Sequence, residues 1–556
     1  LKRHCIQNSL YGVDIDPGAI EIAKLRLWLS LVVDEDDYTT IQPLPNLDYK
    51  IMQGNSLIEE FHGISLDIEK KSEQKDLFAG GSDLDALIDN LHQKQDDFFN
   101  AEHPKDKKKK RDAVESAIFN IFHNELEKKR NISPQETQDI ETDLKEMTHG
   151  NKERNFFPWK LYFADVFREK GGFNVVITNP PYIDSEEMVK TLPFERQLYS
   201  KLYKSTAGNW DIYIPFTEQC WNILNNTGFE IVITPNKWLS IKYGLALREL
   251  ITRSFKYVCR LDKINVFEAG NSPVITGFGK KENYNYVKID EFDSNFKPIV
   301  LTQTSKKVLQ NNNWGILLSD NIELLNKMTD GNHKISDDFE VENPFTTSEA
   351  YSLKEILDDR SKTENDFYLI NTGTIDPYVT LWGKKKTAYL KLKLDRPVVT
   401  KENLKIFSTR RFEQSSSPKI IITGMRHFEA FYDADGEYIA GKSTIIVKYS
   451  NDIDLIYLLP ILNSKALKFF IKGVYSALGI DGGINFSKNL VEDLPLPVCS
   501  KDCNDRFKLI TDQILNIKKT NPQADTTSLE AEIDQLVYDL YGLTDEEIQI
   551  VEESVG

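Results

Sequence analysis

Apolar and polar positions alternate along this chain in two rhythms, and the change from one to the other divides it. Phe173-Asn174-Val175-Val176-Ile177-Thr178 is a short β-branched run that predicts a buried strand, and it stops at Asn179-Pro180-Pro181-Tyr182. Neither proline can donate to a ladder, and the first pushes Asn179 out of the helical region. An amide, a fixed carbonyl and a flat ring are thereby presented at a strand end, where open α/β sheets bind ligands. Upstream, Ser9 to Asp16 alternates and closes on acids, and Ile20, Ala23, Leu27 and Leu31 then recur at helical spacing. Asp16 suits the N-cap and Pro17 the first helical position. Asp14, at the strand end itself, is placed to accept from ribose hydroxyls. Tyr49 to Leu57 predicts a further strand ending in small polar residues.

Residues 67–155 change character. Charge and Gln dominate, and Ala113, Ala117, Ile118, Ile121, Phe122 and Leu126 share one helical face, which predicts a helical insertion between strands. The basic run Lys107 to Arg111 reads as its solvated start. Asp211 to Leu224 predicts a helix, Phe229 to Pro235 a strand and Leu245 to Phe255 a helix. Val266 to Ala269 predicts a loop feeding an antiparallel hairpin at Val274 to Phe278. Strand and helix alternate up to about residue 280, the mark of an α/β sheet. From residue 284 short mixed strands and turns run to about 500, interrupted by a helix at Tyr457 to Lys472. An acidic amphipathic helix from Thr527, with Glu530 completing a capping box, closes the chain.

Charge changes this picture in one place. The net charge of −17 argues against a polyanion partner, yet Lys384 to Arg426 holds twelve Lys and Arg against three acids. That window is a candidate phosphate-contact surface, with Lys384, Lys385, Lys386, Arg410 and Arg411 as its candidates. Five cysteines without a CxxC pair predict a reduced, cytoplasmic, metal-free protein. No run of 18 apolar residues exists, so no membrane span is expected.

In this order, the motifs resemble those of the γ-class N6-adenine DNA methyltransferases. Gly12-Val13-Asp14-Ile15-Asp16 is similar to the family's acid-ended second motif. Gln53-Gly54-Asn55-Ser56-Leu57 resembles the third, which usually has Asp at the place of Asn55. Asn179-Pro180-Pro181-Tyr182 resembles the fourth, and Val266-Phe267-Glu268 the eighth. The large size, the insertion and Phe157-Pro158-Trp159 resemble type IIG restriction–modification proteins. Asn463-Ser464-Lys465 and Leu494-Pro495-Leu496-Pro497 are similar to the end of that family's target-recognition domain.

The resemblance implies an α/β, Rossmann-like methyltransferase sheet over residues 1–283 with 67–155 inserted. A mixed α+β recognition domain over 284–500 and a helical segment over 501–556 follow. It implies S-adenosylmethionine as methyl donor and double-stranded DNA as partner in a bacterial or archaeal cell. The Asn179 oxygen and the Pro180 carbonyl would grip the two N–H groups of an adenine amine, drawing its nitrogen toward a tetrahedral shape. Pro181 keeps that turn rigid, Tyr182 would stack on the flipped base and Phe267 would pack beside it. Asp14, Ile15, Asn55 and Ser56 would hold the donor. The family's glycine-rich first motif has no counterpart in the eight residues before the acid-ended strand. The chain is therefore expected to lack the start of the methyltransferase sheet and any nuclease, which a preceding segment of the same protein would supply. Two readings follow, a site-specific adenine methyltransferase portion or a DNA-recognition module inactive in isolation. A methyltransferase of protein glutamine or RNA guanine is disfavoured by the 270 or so residues after the catalytic fold.

Overall fold

The computed structural model describes the chain outside residues 1, 34–46, 65–82, 100, 102–103, 129–132, 149–151, 265, 267–271, 282–283, 311–312, 450–453, 476–478, 481–482 and 556. Two compact units emerge. One comprises Leu1–Thr234, Ala246–Cys259 and Pro273–Tyr284, the other Pro235–Leu245, Arg260–Ser272 and Asn285–Gly556.

The first unit is mixed α/β. It begins with α1 (Lys2–Asn8), β1 (Gly12–Asp14), α2 (Pro17–Val32) and β2 (Ile51–Gln53). Asp16 caps α2 as the sequence predicts, with extended backbone and its carboxylate accepting from Gly18 N at 2.7 Å. β1 and β2 pair in parallel, Gly12 opposite Ile51 and Asp14 opposite Gln53. Three helices then follow, α3 (Asp83–Phe99), α4 (Pro104–Glu127) and α5 (Pro134–Thr148). The expected face of α4 is inward: Ala117, Ile118, Ile121, Phe122 and Leu126 are buried, together with Val114. In its first turns Lys110 donates to the Asp97 carbonyl at 2.8 Å and Arg111 pairs with Asp48, which leaves this basic run a surface role.

The short helices α6 (Trp159–Tyr162) and α7 (Ala164–Lys170) lead into β3 (Phe173–Thr178). Gly171 and Gly172 make that entry with φ of 72° and 131°, and a Cβ on Gly172 would lie 2.6 Å from the Ile223 carbonyl oxygen. No other residue fits so close a backbone crossing. Beyond β3 come α8 (Ser185–Thr191), α9 (Pro193–Leu202), α10 (Tyr213–Asn222), β4 (Leu224–Pro235), α11 (Leu245–Ile251), β5 (Phe255–Arg260) and β6 (Pro273–Gly279). Two expectations need correcting. The helix from Leu245 stops at Ile251, and Phe255 opens a strand because Phe255, Val258 and Cys259 are all buried in the sheet. Val274 to Phe278 lies in β6, which is seated in the sheet between β4 and β5 in the order β3-β4-β6-β5. β3 pairs with β4 in parallel, Val176 opposite Glu230 and Thr178 opposite Val232.

The second unit carries an antiparallel hairpin, β7 (Tyr286–Phe292) with β8 (Pro298–Ser305), and two four-stranded sheets. One runs Phe339–Glu342, Thr444–Tyr449, Lys419–Thr423, Ala430–Asp433; the other runs Asp358–Asp359, Pro397–Thr400, Asp366–Ile370, Tyr438–Ala440. Ile370, Ile421, Phe431, Ala440 and Ile446 form one core and Phe345, Leu369, Tyr389, Val399 and Ile439 another. The helix predicted over 457–472 is two, Leu455–Asn463 and Lys465–Tyr475. The break has a cause. The Asn463 amide donates to the Ala430 carbonyl at 3.0 Å and accepts from its N–H at 2.9 Å, so the helix end is clamped to a strand, and Ser464 starts the next helix.

Leu494-Pro495-Leu496-Pro497 is equally structural. Pro495 and Leu496 pair with His333 and Lys334, and the carbonyls of Pro495 and Pro497 accept from the hydroxyls of Tyr541 and Tyr457. The last helices are Lys501–Thr520, Thr527–Leu540 and Asp545–Val555. For Thr527–Leu540 the N-cap corrects the expected box. It is Thr526, with no side-chain cap bond, and its hydroxyl reaches Glu530. Among the described residues no helix is long and apolar enough to cross a membrane.

One buried group strains the first unit. Glu230 is fully buried in β4, and neither carboxylate oxygen has a hydrogen-bond partner among the described residues. Burial pushes its carboxyl well above the usual 4.5, and Lys280 offsets this only in part. Because the unfolded chain releases this proton near pH 4.5 and the folded one holds it, stability from this group falls as pH rises above 4.5. Glu230→Met is expected to raise the unfolding free energy at neutral pH by about 1–3 kcal/mol. Chemical denaturation should show that gain shrinking as pH approaches 4.5.

Candidate functional site

The end of β3 delivers the Asn-Pro-Pro-Tyr turn as the sequence requires. Regular structure stops at Thr178; Asn179 and Pro181 are exposed, Pro180 is buried and Tyr182 is half-buried. The Asn179 side chain makes no hydrogen bond among the described residues. The segment after it is fixed. Asp211 accepts from Ser185 N at 3.2 Å, Ile212 N donates to the Ile183 carbonyl at 3.1 Å, and the Tyr182 ring stands edge-on to Tyr213 at 6.3 Å. Burial pushes the Tyr182 hydroxyl up to about 12, so it stays protonated. A rigid turn thus presents an open amide oxygen beside an anchored aromatic.

The second cluster lies at the end of β1. Asp14 accepts from Asp16 N at 2.9 Å, and its main-chain carbonyl accepts from Gly54 N at 2.9 Å. Ile15 is 59% exposed. Gln53 ties the region together: its amide donates to the carbonyls of Ile15 and Arg154, each at 3.0 Å, and accepts from Arg154 N at 2.8 Å. Sequence reasoning did not single out Gln53, although an amide can make this pair of opposite contacts where an acid cannot. A Cβ on Gly54 would sit 2.9 Å from the Phe156 carbonyl oxygen, so the Phe-Pro-Trp approach seats directly on this glycine. The Ser56 carbonyl accepts from the Trp159 indole at 3.0 Å.

Asn55 is tied into the fold. It is buried, its amide donates to the Tyr199 hydroxyl at 3.0 Å and its oxygen accepts from Leu57 N at 3.1 Å. These two bonds fasten the turn to α9 and leave one N–H and one oxygen lone pair of the amide for a further partner. Asp14 leaves a carboxylate at the strand end and Ile15 an exposed aliphatic surface beside it. Phe267 lies outside the described residues.

Among the described residues β1 is paired only with β2, and β3 only with β4, so each has one edge without a described partner strand. Their starts approach through side chains, Tyr11 meeting Phe173 at 5.6 Å and donating to Asp165 at 3.1 Å. Val175 and Ile177 on β3 are 58% and 76% exposed, and Ile22, Leu25, Leu29 and Val33 on and after α2 are exposed as well.

The basic candidates of the second unit divide. Lys384, Lys385 and Lys386 are exposed, and Lys386 pairs with Asp395 at 3.2 Å. Arg410 is exposed, 3.8 Å from Glu342. Arg411 is a correction: it is buried, its guanidinium donates to both Glu349 oxygens, and it also donates to the Asn343 carbonyl and the Gln414 side chain. The Arg411 hydrogen bond holds the Glu349 carboxyl at about 2. An Arg spent this way is a bolt of the fold, which charge density alone could not reveal.

The first unit is thus mixed α/β with an exposed turn at the end of β3, and the second is built on mixed sheets. Comparison with known proteins makes this particular. Residues 8–269 match the family described as Eco57I restriction-modification methylase, and residues 369–496 match the TaqI-like C-terminal specificity domain. Over these two stretches the chain is similar to type II restriction–modification methylases and to their specificity domains. A Methanocaldococcus jannaschii protein described as a type II restriction enzyme and methyltransferase is 26% identical over 303 residues, 45% of this chain and 24% of that protein. The Escherichia coli type II restriction enzyme and methyltransferase RM.Eco57I is 30% identical over 116 residues, 20% of this chain and 12% of the relative. The chain thus matches about a quarter or less of these relatives' lengths. The solved type IIG restriction endonuclease BpuSI aligns over 83% of this chain and 66% of its own at 11% identity and a TM-score of 0.27, too loose a superposition to bear on the site. For a methylase the expected donor is S-adenosylmethionine.

Arg411→Ala is expected to destabilise the second unit by about 3 kcal/mol, because it strands Glu349 and Gln414. Lys384→Ala should stay within about 0.5 kcal/mol of the parent. Urea unfolding followed by tryptophan fluorescence separates the two.

Proposed function

We propose that this chain is the methyl-transfer and target-recognition portion of a type IIG restriction–modification protein, modifying adenine N6 at a specific site in double-stranded DNA. The observation that carries this reading is the Asn179 amide, exposed and uncommitted at the end of β3, next to Pro180. An aromatic amine is a poor nucleophile because its lone pair is shared with the ring. Acceptors at the Asn179 oxygen and the Pro180 carbonyl would hold its two N–H groups and localise that lone pair, a task of positioning and electrostatics. The adenine must leave the duplex to reach them, and Tyr182 would stack on it, a contact typically worth about 1–3 kcal/mol. Asp14 would accept from the ribose hydroxyls of the donor and Ile15 would pack on its ring. The bound donor supplies the activated methyl group.

We assign residues 1–283 to methyl transfer, with 67–155 inserted, 284–500 to target recognition and 501–556 to a C-terminal helical segment, in a cytoplasmic protein. The open edges of β1 and β3 favour a second reading for the chain alone. One further strand between them, from a preceding segment of the same protein, would complete a Rossmann-like sheet and the donor site. Until it is supplied, the chain recognises DNA without turning over.

In the protein carrying that segment, Asn179→Ala should lower methylation by at least about a hundredfold. DNA affinity should stay within about twofold, since the side chain is exposed and unbonded. Tritiated-methyl transfer and a filter-binding assay report the two quantities, and retained methylation would refute the assignment. For the chain alone, calorimetric titration with S-adenosylmethionine should give weak or no heat; tight binding would show the donor site to be complete already.

A further inference from the structure

The second unit contains a cleft of about 660 Å³ with features that its fold does not need. One wall is the ribbon Thr387–Tyr389 paired antiparallel with Leu392–Leu394, so that only Leu390 and Lys391 form its turn. Both have positive φ, 42° and 69°. A two-residue turn of that kind is normally made by Asn-Gly, because a Cβ is strained there. Another wall is the short strand Met425–Arg426, paired antiparallel with Gly483–Asn485, together with His427, and Arg426 also has a φ of 69°. Three of the six non-glycine residues with positive φ among the described residues therefore line one cleft. Strain of this kind persists only where the surroundings impose it, and it gathers at ligand clamps.

The surroundings do impose it. Asn371 on the cleft floor donates to the Ala388 carbonyl at 2.8 Å and accepts from Ser443 N at 3.2 Å, tying the ribbon to the next loop. Thr423 accepts from Glu429 N at 3.1 Å and donates to the His427 carbonyl, closing the other wall. The cations on this rigid frame are uncommitted. Lys385, Lys391, Lys393 and Arg426 are exposed, and none is held in an ion pair or a side-chain hydrogen bond among the described residues. Against the two carboxylates that also line the cleft, Asp376 and Glu429, these four cations leave a local excess of positive charge in a chain of net charge −17.

We propose that this cleft is where the specificity domain reads its DNA target. Arg426 is the principal reader of a base edge and Lys391 at the ribbon tip is the second, while Lys385 and Lys393 hold phosphates. This rests on the DNA-recognition reading above and deepens it to named residues. A two-stranded ribbon fits the major groove, and an arginine there suits the two acceptors of a guanine edge. On the exposed face of the ribbon Ala388 stands opposite Lys393, small enough to leave the lysine open to a phosphate. The carboxylates of Asp376 and Glu429 line the same cleft and suit the exocyclic amines of cytosine or adenine.

The test is selection from a pool of duplexes with a randomised core, followed by sequencing, using the whole chain. Arg426→Gly and the double variant Leu390→Asn/Lys391→Gly each remove a reader and relieve a strained φ, so each should melt no lower than the parent. Each is expected to lose discrimination at a base-pair position by roughly 5- to 150-fold while general DNA affinity persists. Lys393→Ala should weaken all sequences alike and lower the salt dependence of binding by about one ion. Sequence preferences unchanged in the two strain-relieved variants would overturn this inference and leave the recognition reading standing. No enrichment by the unmodified chain would overturn the recognition reading itself, and this inference with it.

Discussion

A main-chain amide or carbonyl withdrawn from water has to find a partner, and this requirement shapes the whole first unit. Among the described residues β3 meets it on one side, through β4, and β1 through β2. The two half-satisfied strands are kept in reach of each other by side chains, Tyr11 against Phe173 and onto Asp165, and by Gln53 bridging to Arg154. Everything at the acceptor end of the site hangs from β3. Its ladder to β4 sets the direction in which Asn179 leaves the sheet, and Asp211 sets the path afterwards. The Asp14 cluster hangs from β1, which among the described residues is held by β2 alone.

What could be read from the sequence follows from how local the physics is. The Asn-Pro-Pro-Tyr turn and the Asp16 cap depend on a few consecutive residues, and both stand as expected. The face of α4 obeys a single period. Arg411 was misjudged because a residue far away in sequence, Glu349, engages it, and Asn55 is likewise tied to the distant Tyr199. A polar side chain announces its chemistry but not whether that chemistry is already spent. The seat of β6 between β4 and β5 is likewise a matter of sheet order, which no window of residues encodes.

The second unit shows the same distinction from the other side. Asn463-Ser464-Lys465 and the Leu-Pro-Leu-Pro stretch were legible as motifs, and the structure gives them architectural duties. Asn463 clamps Ala430, Lys465 pairs with Glu552, and two proline carbonyls receive tyrosine hydroxyls. The acidic last helices are thereby drawn into the fold, with Lys327 and Glu547 adding a further tie. Acid enrichment there serves pairing with lysines of earlier helices as well as solvation.

The ties made by Asn371 and Asn463 share one more property. Every one of them ends on a main-chain atom: the carbonyl of Ala388, the N–H of Ser443, both polar groups of Ala430. Such fastenings are blind to the side chains at the residues they grip. Mutation can therefore rewrite the outward positions of these loops one after another while the frame beneath stays assembled, and drift at the surface need not be paced by compensating change in the core.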